Sequence, residues 1–342
     1  MERIKSIDAL NGIGILLVVM GHYDFQLASP AWSVWIYSFH MPLFFITGGA
    51  LFQIKAESYH KEGVFKYIVK NIRHLLLPYS VFFVLSVVVK NFLGTTDVSD
   101  VVYILTARVL EGGGHLMHEN INNFALWFFQ LYFLARMIMY IMYRIYRKYR
   151  IFFYILLGII CVGTIPFQRM IQGRPAFHIN VLPAAIVFMW IGYFSWKYRD
   201  KVLGRLHEPF TTVAVISLLY GGICIAYMFP GNIASINHYL YFIGALATTA
   251  VFYLAQSEHP ATILVFWGEN SSFILGVHAW VLALFRKYVQ NILFTQWSGV
   301  MVYFIMCGLM MIVLSLGIIV WRSLWKRVKN TWDFGRNERR SK

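Results

Sequence analysis

The sequence predicts an all-α, polytopic membrane protein of about ten transmembrane helices with both termini cytoplasmic. Three observations carry that expectation. Apolar runs of bilayer length recur to the C-terminus. Charged residues make up only 13% of the chain, against roughly 25% in a soluble domain, while 59% is hydrophobic. Ten-residue stretches of alternating polarity, the mark of a membrane barrel, are absent, and lipid leaves the helix as the other spanning element.

The spans fall at about 9–26, 33–53, 75–93, 123–143, 151–167, 181–197, 210–229, 237–255, 264–284 and 300–321. Their order explains the net charge of +15 without nucleic acid. With the N-terminus inside, 23 Lys and Arg fall on cytoplasmic segments and six outside, the asymmetry of the positive-inside rule. The first run lacks a small-residue cleavage site and reads as a retained helix. Cys161, Cys224 and Cys307 each lie in an apolar run, with neither disulfide nor zinc spacing. The stretch 55–74 reads as a basic cytoplasmic loop, and 94–122 as a long outside loop. His115, His118 and Glu119 in that outside loop imitate a metal site without further ligands, so no metal is expected.

The first span carries a polar stripe. At 100° per residue Asp8, Asn11 and His22 fall within about 60° of one another, and Asn11 and His22 stand about 16 Å apart along the axis. An ionisable group in a bilayer-length segment is costly and reads first as functional. A neutral imidazole, which titrates near ~6.5 when unperturbed, suits proton abstraction from a hydroxyl. Further polar groups recur at His40 in FHMPLFFITGG, Lys70 and Arg73 before LLLPY, Trp127 in LWF, and Asn270, Ser271 and His278 in GENSSFILGVH. Ser271 and His278, seven apart, share a helix face to within about 20°.

Each group has a plainer reading. Arg3 and Asp8 suit juxtamembrane charges, Lys70 and Arg73 ordinary cytoplasmic cations, and Arg136 a snorkelling residue at its span's inner end. His40 suits a corner beside Pro42, and the polar residues of 270–278 suit interhelical hydrogen bonding. No nucleophile elbow is present.

Five segments in register, Asp8–His22, Phe39–Phe52, Arg73–Tyr79, Leu126–Phe128 and Gly268–His278, resemble the acyltransferase-3 family of integral-membrane O-acyltransferases. Some relatives with Asn or Lys at the Asn11 position look like fucose- or exopolysaccharide-modifying O-acetylases. It implies a transmembrane domain over 1–322 followed by a basic cytoplasmic tail, 323–342. It also implies acetyl-CoA or another acyl-CoA as co-substrate, no bound cofactor, and an extracytoplasmic glycan as acceptor, in the cytoplasmic membrane. His22 maps to the essential catalytic histidine, with Asp8 tuning its helix. Lys70, Arg73 and Asn11 map to donor binding, and His40, Trp127, Asn270, Ser271 and His278 to the acceptor side or the surrounding shell. Family members commonly carry Arg where Asn11 stands, so phosphate anchoring shifts to Lys70 and Arg73. A glycan exporter or flippase is the rival reading, although the internal symmetry common in transporters is not evident.

Overall fold

A computed structural model describes residues 4–23, 30–92, 123–173, 175–203, 208–256, 258–289 and 299–338. Among them the structure is helical throughout, and the pairing of Asn232 with Ser235 is an isolated bridge rather than a strand. The helices are α1 (Lys5–His22), α2 (Pro30–Glu62), α3 (Val64–Asn71), α4 (Leu77–Phe92), α5 (Trp127–Lys148), α6 (Arg150–Met170) and α7 (Leu182–Lys197). There follow α8 (Arg199–Leu203), α9 (Glu208–Met228), α10 (Leu240–Gln256), α11 (Thr262–Glu269), α12 (Ser271–Tyr288) and α13 (Gly299–Glu338). Among the described residues, five helical stretches are long and apolar enough to cross a membrane: Trp32–Glu62, Val64–Val88, Arg150–Met170, Ala176–Lys197 and Gly299–Ser323. Arg3 and the loop holding His115, His118 and Glu119 lie outside the described residues.

Three sequence expectations need correction. The basic loop over 55–74 is helical almost throughout: α2 continues to Glu62, and only Gly63, at φ +81°, separates it from α3. Glycine meets no steric penalty there, so it alone makes the corner. The span that begins near Leu75 in fact continues α3 through a π-helical turn, Ile72–Leu76. Pro78, which lacks an N–H and crowds the carbonyl four residues back, accounts for the wider turn. The expected unbroken span at 264–284 is two helices, α11 and α12, meeting at Asn270, whose φ of −113° and ψ of 16° leave the helical region.

Two helix crossings bring backbones together, and both use reciprocal glycines. A Cβ on Gly12 of α1 would strike the carbonyl of Leu264 in α11, and one on Gly268 would strike the carbonyl of Asp8. The same reciprocity joins α2 and α7: Gly49 faces the Met189 carbonyl and Gly192 faces the Ile46 carbonyl. Lipid tails are as apolar as leucine, so close backbone packing through small residues holds such helices together. An aromatic core fills the space between α2, α5 and α7, with Phe45, Phe129, Phe188 and Trp190 fully buried.

Gly12→Val is expected to destabilise the protein by ~1–3 kcal/mol, because added volume at a closed contact forces helices apart. Gly158→Ala in α6, where an added Cβ meets nothing, is expected to be neutral or stabilising. Thermal melts of the two variants in detergent check both.

Candidate active site

The end of α1 is where the polar side chains converge. A helix terminus leaves its last carbonyls without helical partners. Here three other helices supply donors: Tyr303 Oη to the Met20 carbonyl at 3.0 Å, Tyr37 Oη to Gly21 at 2.7 Å, and Arg286 Nη2 to His22 at 3.1 Å. Those bonds tie the last turn of α1 to α13, α2 and α12, and with it the backbone of His22.

The His22 side chain meets His278. Nδ1 of His22 lies 2.8 Å from Nε2 of His278, and the rings stack with centroids 5.1 Å apart. His278 is fully buried, and its Nδ1 lies 3.0 Å from the carbonyls of both Ile274 and Leu275. Carbonyl oxygens only accept, so Nδ1 of His278 carries the proton and its Nε2 is the acceptor. The 2.8 Å contact then requires Nδ1–H on His22 as donor. A neutral His22 therefore has its basic lone pair on Nε2. The backbone of α12 sets the tautomer of both rings, as a second group commonly does for a working histidine.

His22 lines a cavity of about 460 Å³, together with Tyr37, His40, Trp127, His178, Asn180, Asn232 and Arg286. A second cavity of about 150 Å³ is lined by Asn11, Phe44, Leu75, Tyr132, Ser271 and Ser272 among others. Met41, Phe128 and Leu275 line both cavities and form the partition between them.

The positions expected from sequence divide accordingly. His22, His40 and Trp127 line the larger cavity, His278 is buried against His22, and the His40 ring bonds the Ile36 carbonyl at 2.8 Å through Nδ1. Asn11 and Ser271 line the smaller one, where Asn11 Oδ1 accepts from Thr47 Oγ1 at 2.7 Å. Asp8 is buried against Gly268, fourteen residues and about 21 Å of helix rise from His22. Asn270 stays apart from both cavities: it donates to the Phe266 carbonyl and accepts from Arg322 Nε at 3.0 Å, beside the Arg322–Glu269 ion pair. Lys70 and Arg73 line neither cavity. Lys70 lies 3.7 Å from Glu62 Oε2 and 5.2 Å from the Tyr59 ring centroid, and Arg73 is exposed on the π-helical turn.

A model described as an acyltransferase domain, of the acyltransferase-3 type, matches residues 4–320. The chain belongs to the acyltransferase-3 family. It is a membrane acyltransferase with a wholly helical described structure. No curated protein and no solved structure matches it.

Several residues around this acyltransferase-3 site escaped the sequence reading. His178 and Asn180 lie in a short segment between two apolar runs, where polarity alone marks nothing; their signal is the cluster HIN set between Pro175 and Pro183. Tyr37, Arg286 and Tyr303 resemble interface residues in sequence, and only the packing gives them the α1 carbonyls. Arg136, expected to snorkel, lies against Tyr59 and Tyr67, 5.9 Å from each ring centroid, with Nη2 3.3 Å from Tyr59 Oη.

Histidine-labelled protein is expected to show Nδ1-protonated, Nε2-unprotonated rings for both His22 and His278 by nitrogen NMR, with signals assigned from the two single variants. An Nε2-protonated His278 would contradict the tautomer order.

Proposed function

We propose that the protein transfers an acyl group, acetyl in the first instance, from cytoplasmic acyl-CoA to a hydroxyl of an extracytoplasmic glycan, with His22 as general base. The observation that carries the reading is the His278–His22 pair at the wall of a cavity, in a chain of an acyltransferase family. In the reaction Nε2 of His22 takes the hydroxyl proton as the sugar oxygen bonds to the thioester carbonyl carbon. The tetrahedral intermediate then collapses and the carbon–sulfur bond breaks. The departing thiolate of CoA receives the proton from the imidazolium, which restores the starting tautomer. The Nδ1–H of His22 holds the ring toward His278 throughout, so that a hydrogen bond replaces the reorientation a lone imidazole would need.

The donor approaches from the opposite side. Lys70 and Arg73 bind CoA phosphates at the cytoplasmic mouth, supported by their positive charge and by the π-helical turn beneath them, a feature frequent at functional sites. Asn11 and Ser271 then flank the path of the thioester in the smaller cavity, and Asp8 anchors the inner end of α1. The volume of about 150 Å³ favours a short acyl group over a long one. His40 and Trp127 belong to the acceptor side. In this reading the chain crosses the cytoplasmic membrane ten times, with the broken α11–α12 pair counted as one crossing and both termini inside. The 23-to-6 division of Lys and Arg supports that orientation. Residues 1–322 form the acyltransferase domain and 323–342 a basic tail.

Mass spectrometry of envelope and secreted glycans is expected to show an acetyl increment that depends on the protein and vanishes in His22→Ala at equal protein level. His278→Phe, which keeps a flat ring but removes the acceptor nitrogen, is expected to lower kcat by about a hundredfold. Unchanged glycan acylation in His22→Ala rejects the role.

A further inference from the structure

The segment Ala176–Val181 has a backbone that few residues adopt. Phe177 and His178 stand at φ 57° and 49°, in the left-handed region, and neither is glycine. Consecutive side chains held there are costly, and such strain persists where the surrounding structure imposes it, frequently at ligand sites. The strained turn puts the His178 imidazole flat against Trp127, with ring centroids 4.8 Å apart and planes 27° from parallel. Trp127 is thus backed on one face by a second ring, and both line the cavity that holds His22.

Two residues further on, Asn180 is 4% exposed and lines the same cavity. Its Nδ2 donates to the Gly173 carbonyl at 3.4 Å. A carbonyl accepts only, so the amide nitrogen must face Gly173 and Oδ1 is the atom left over. That Oδ1 is buried and has no hydrogen-bond partner among the described residues. Buried acceptors are nearly always satisfied, so this one has capacity for a further donor. The facing rim is fixed rather than loose: Gln168 donates to the Ile233 carbonyl at 2.8 Å and accepts from the Ile236 N–H at 3.0 Å, which holds Asn232 and Ala234 in the cavity wall.

We infer that Trp127, backed by His178, and the Asn180 carbonyl form a saccharide subsite that takes one hydroxyl-bearing sugar ring of the acceptor. The inference rests on the reading of the protein as a glycan acyltransferase. The chemistry is complementary at both contacts. A sugar ring offers an apolar C–H face to an indole and hydroxyl donors at its edge. A volume of about 460 Å³ lies within the roughly 300–1,000 Å³ of small-molecule sites. His22 lines the same cavity, so a sugar ring held there lies beside the histidine pair.

The test separates binding from turnover. Full-length His22→Gln protein in nanodiscs is titrated with the methyl glycosides of glucose, galactose and fucose, and binding is read by saturation-transfer NMR. At least one glycoside is expected to bind, and Trp127→Ala or Asn180→Ala in the same background is expected to weaken it by about tenfold. Trp127→Phe should retain most of the binding. Asn180→Ala loses only a long 3.4 Å bond to the Gly173 carbonyl, so it should melt close to the parent temperature; weaker binding accompanied by early melting would mark a structural role and overturn the assignment. Absence of binding by all three glycosides, or binding indifferent to both alanine variants, also overturns it. Glycoside binding through these residues in a protein that never acylates a glycan would leave the subsite standing and remove the acyltransfer mechanism. Acylation that depends on His22 with indifferent binding would do the reverse.

Discussion

The last turn of α1 is the constraint on which the candidate site depends. Its three terminal carbonyls bond to Tyr303, Tyr37 and Arg286, which arrive from three different helices. A helix end leaves its last carbonyls without helical partners, and one left unsatisfied in a buried setting carries a cost of ~1–3 kcal/mol. The protein meets that cost with side chains, and in doing so it locks α2, α12 and α13 around one residue. The position of His22 is therefore a property of four helices and not of α1 alone.

At the other end of α1 the same economy of space takes a different form. Gly12 and Gly268 remove side chains where α1 and α11 cross, and the break at Asn270 then redirects the chain so that α12 climbs beside α1. An unbroken helix over 262–288 would have to choose between lying against Asp8 and presenting His278 to His22. Arg322 on α13 holds the break by binding both Glu269 and Asn270. The polar residues at 269 and 270 thus serve the bend, which in turn serves the histidine pair.

The helical class and the membrane character were legible from apolar run length, and the polar stripe on α1 singled out His22 as a candidate. Period and length are local properties, and local properties survive in a sequence. His278 was legible as a polar group on a helix face, but not as the partner of His22, because the contact spans 256 positions and rests on a break that one asparagine makes. Lys70 and Arg73 were legible as cations; their separation from both cavities was not, since it depends on a π-helical turn that Pro78 imposes. His178 and Asn180 were marked only by the HIN cluster between two prolines, because the positive φ at Phe177 and His178 leaves no mark in composition when the residues are not glycine.

Met41, Phe128 and Leu275, the three side chains common to both cavities, are all without charge or hydroxyl. A layer of that kind is a poor conductor for hydronium and for small ions, which shed hydration only at great expense. An uncharged ester fragment has little hydration to shed, and a methionine side chain, with its freely turning bonds, can yield to it. In the acyl transfer proposed above, a neutral group would pass this layer where an ion would not, so long as these three positions stay apolar.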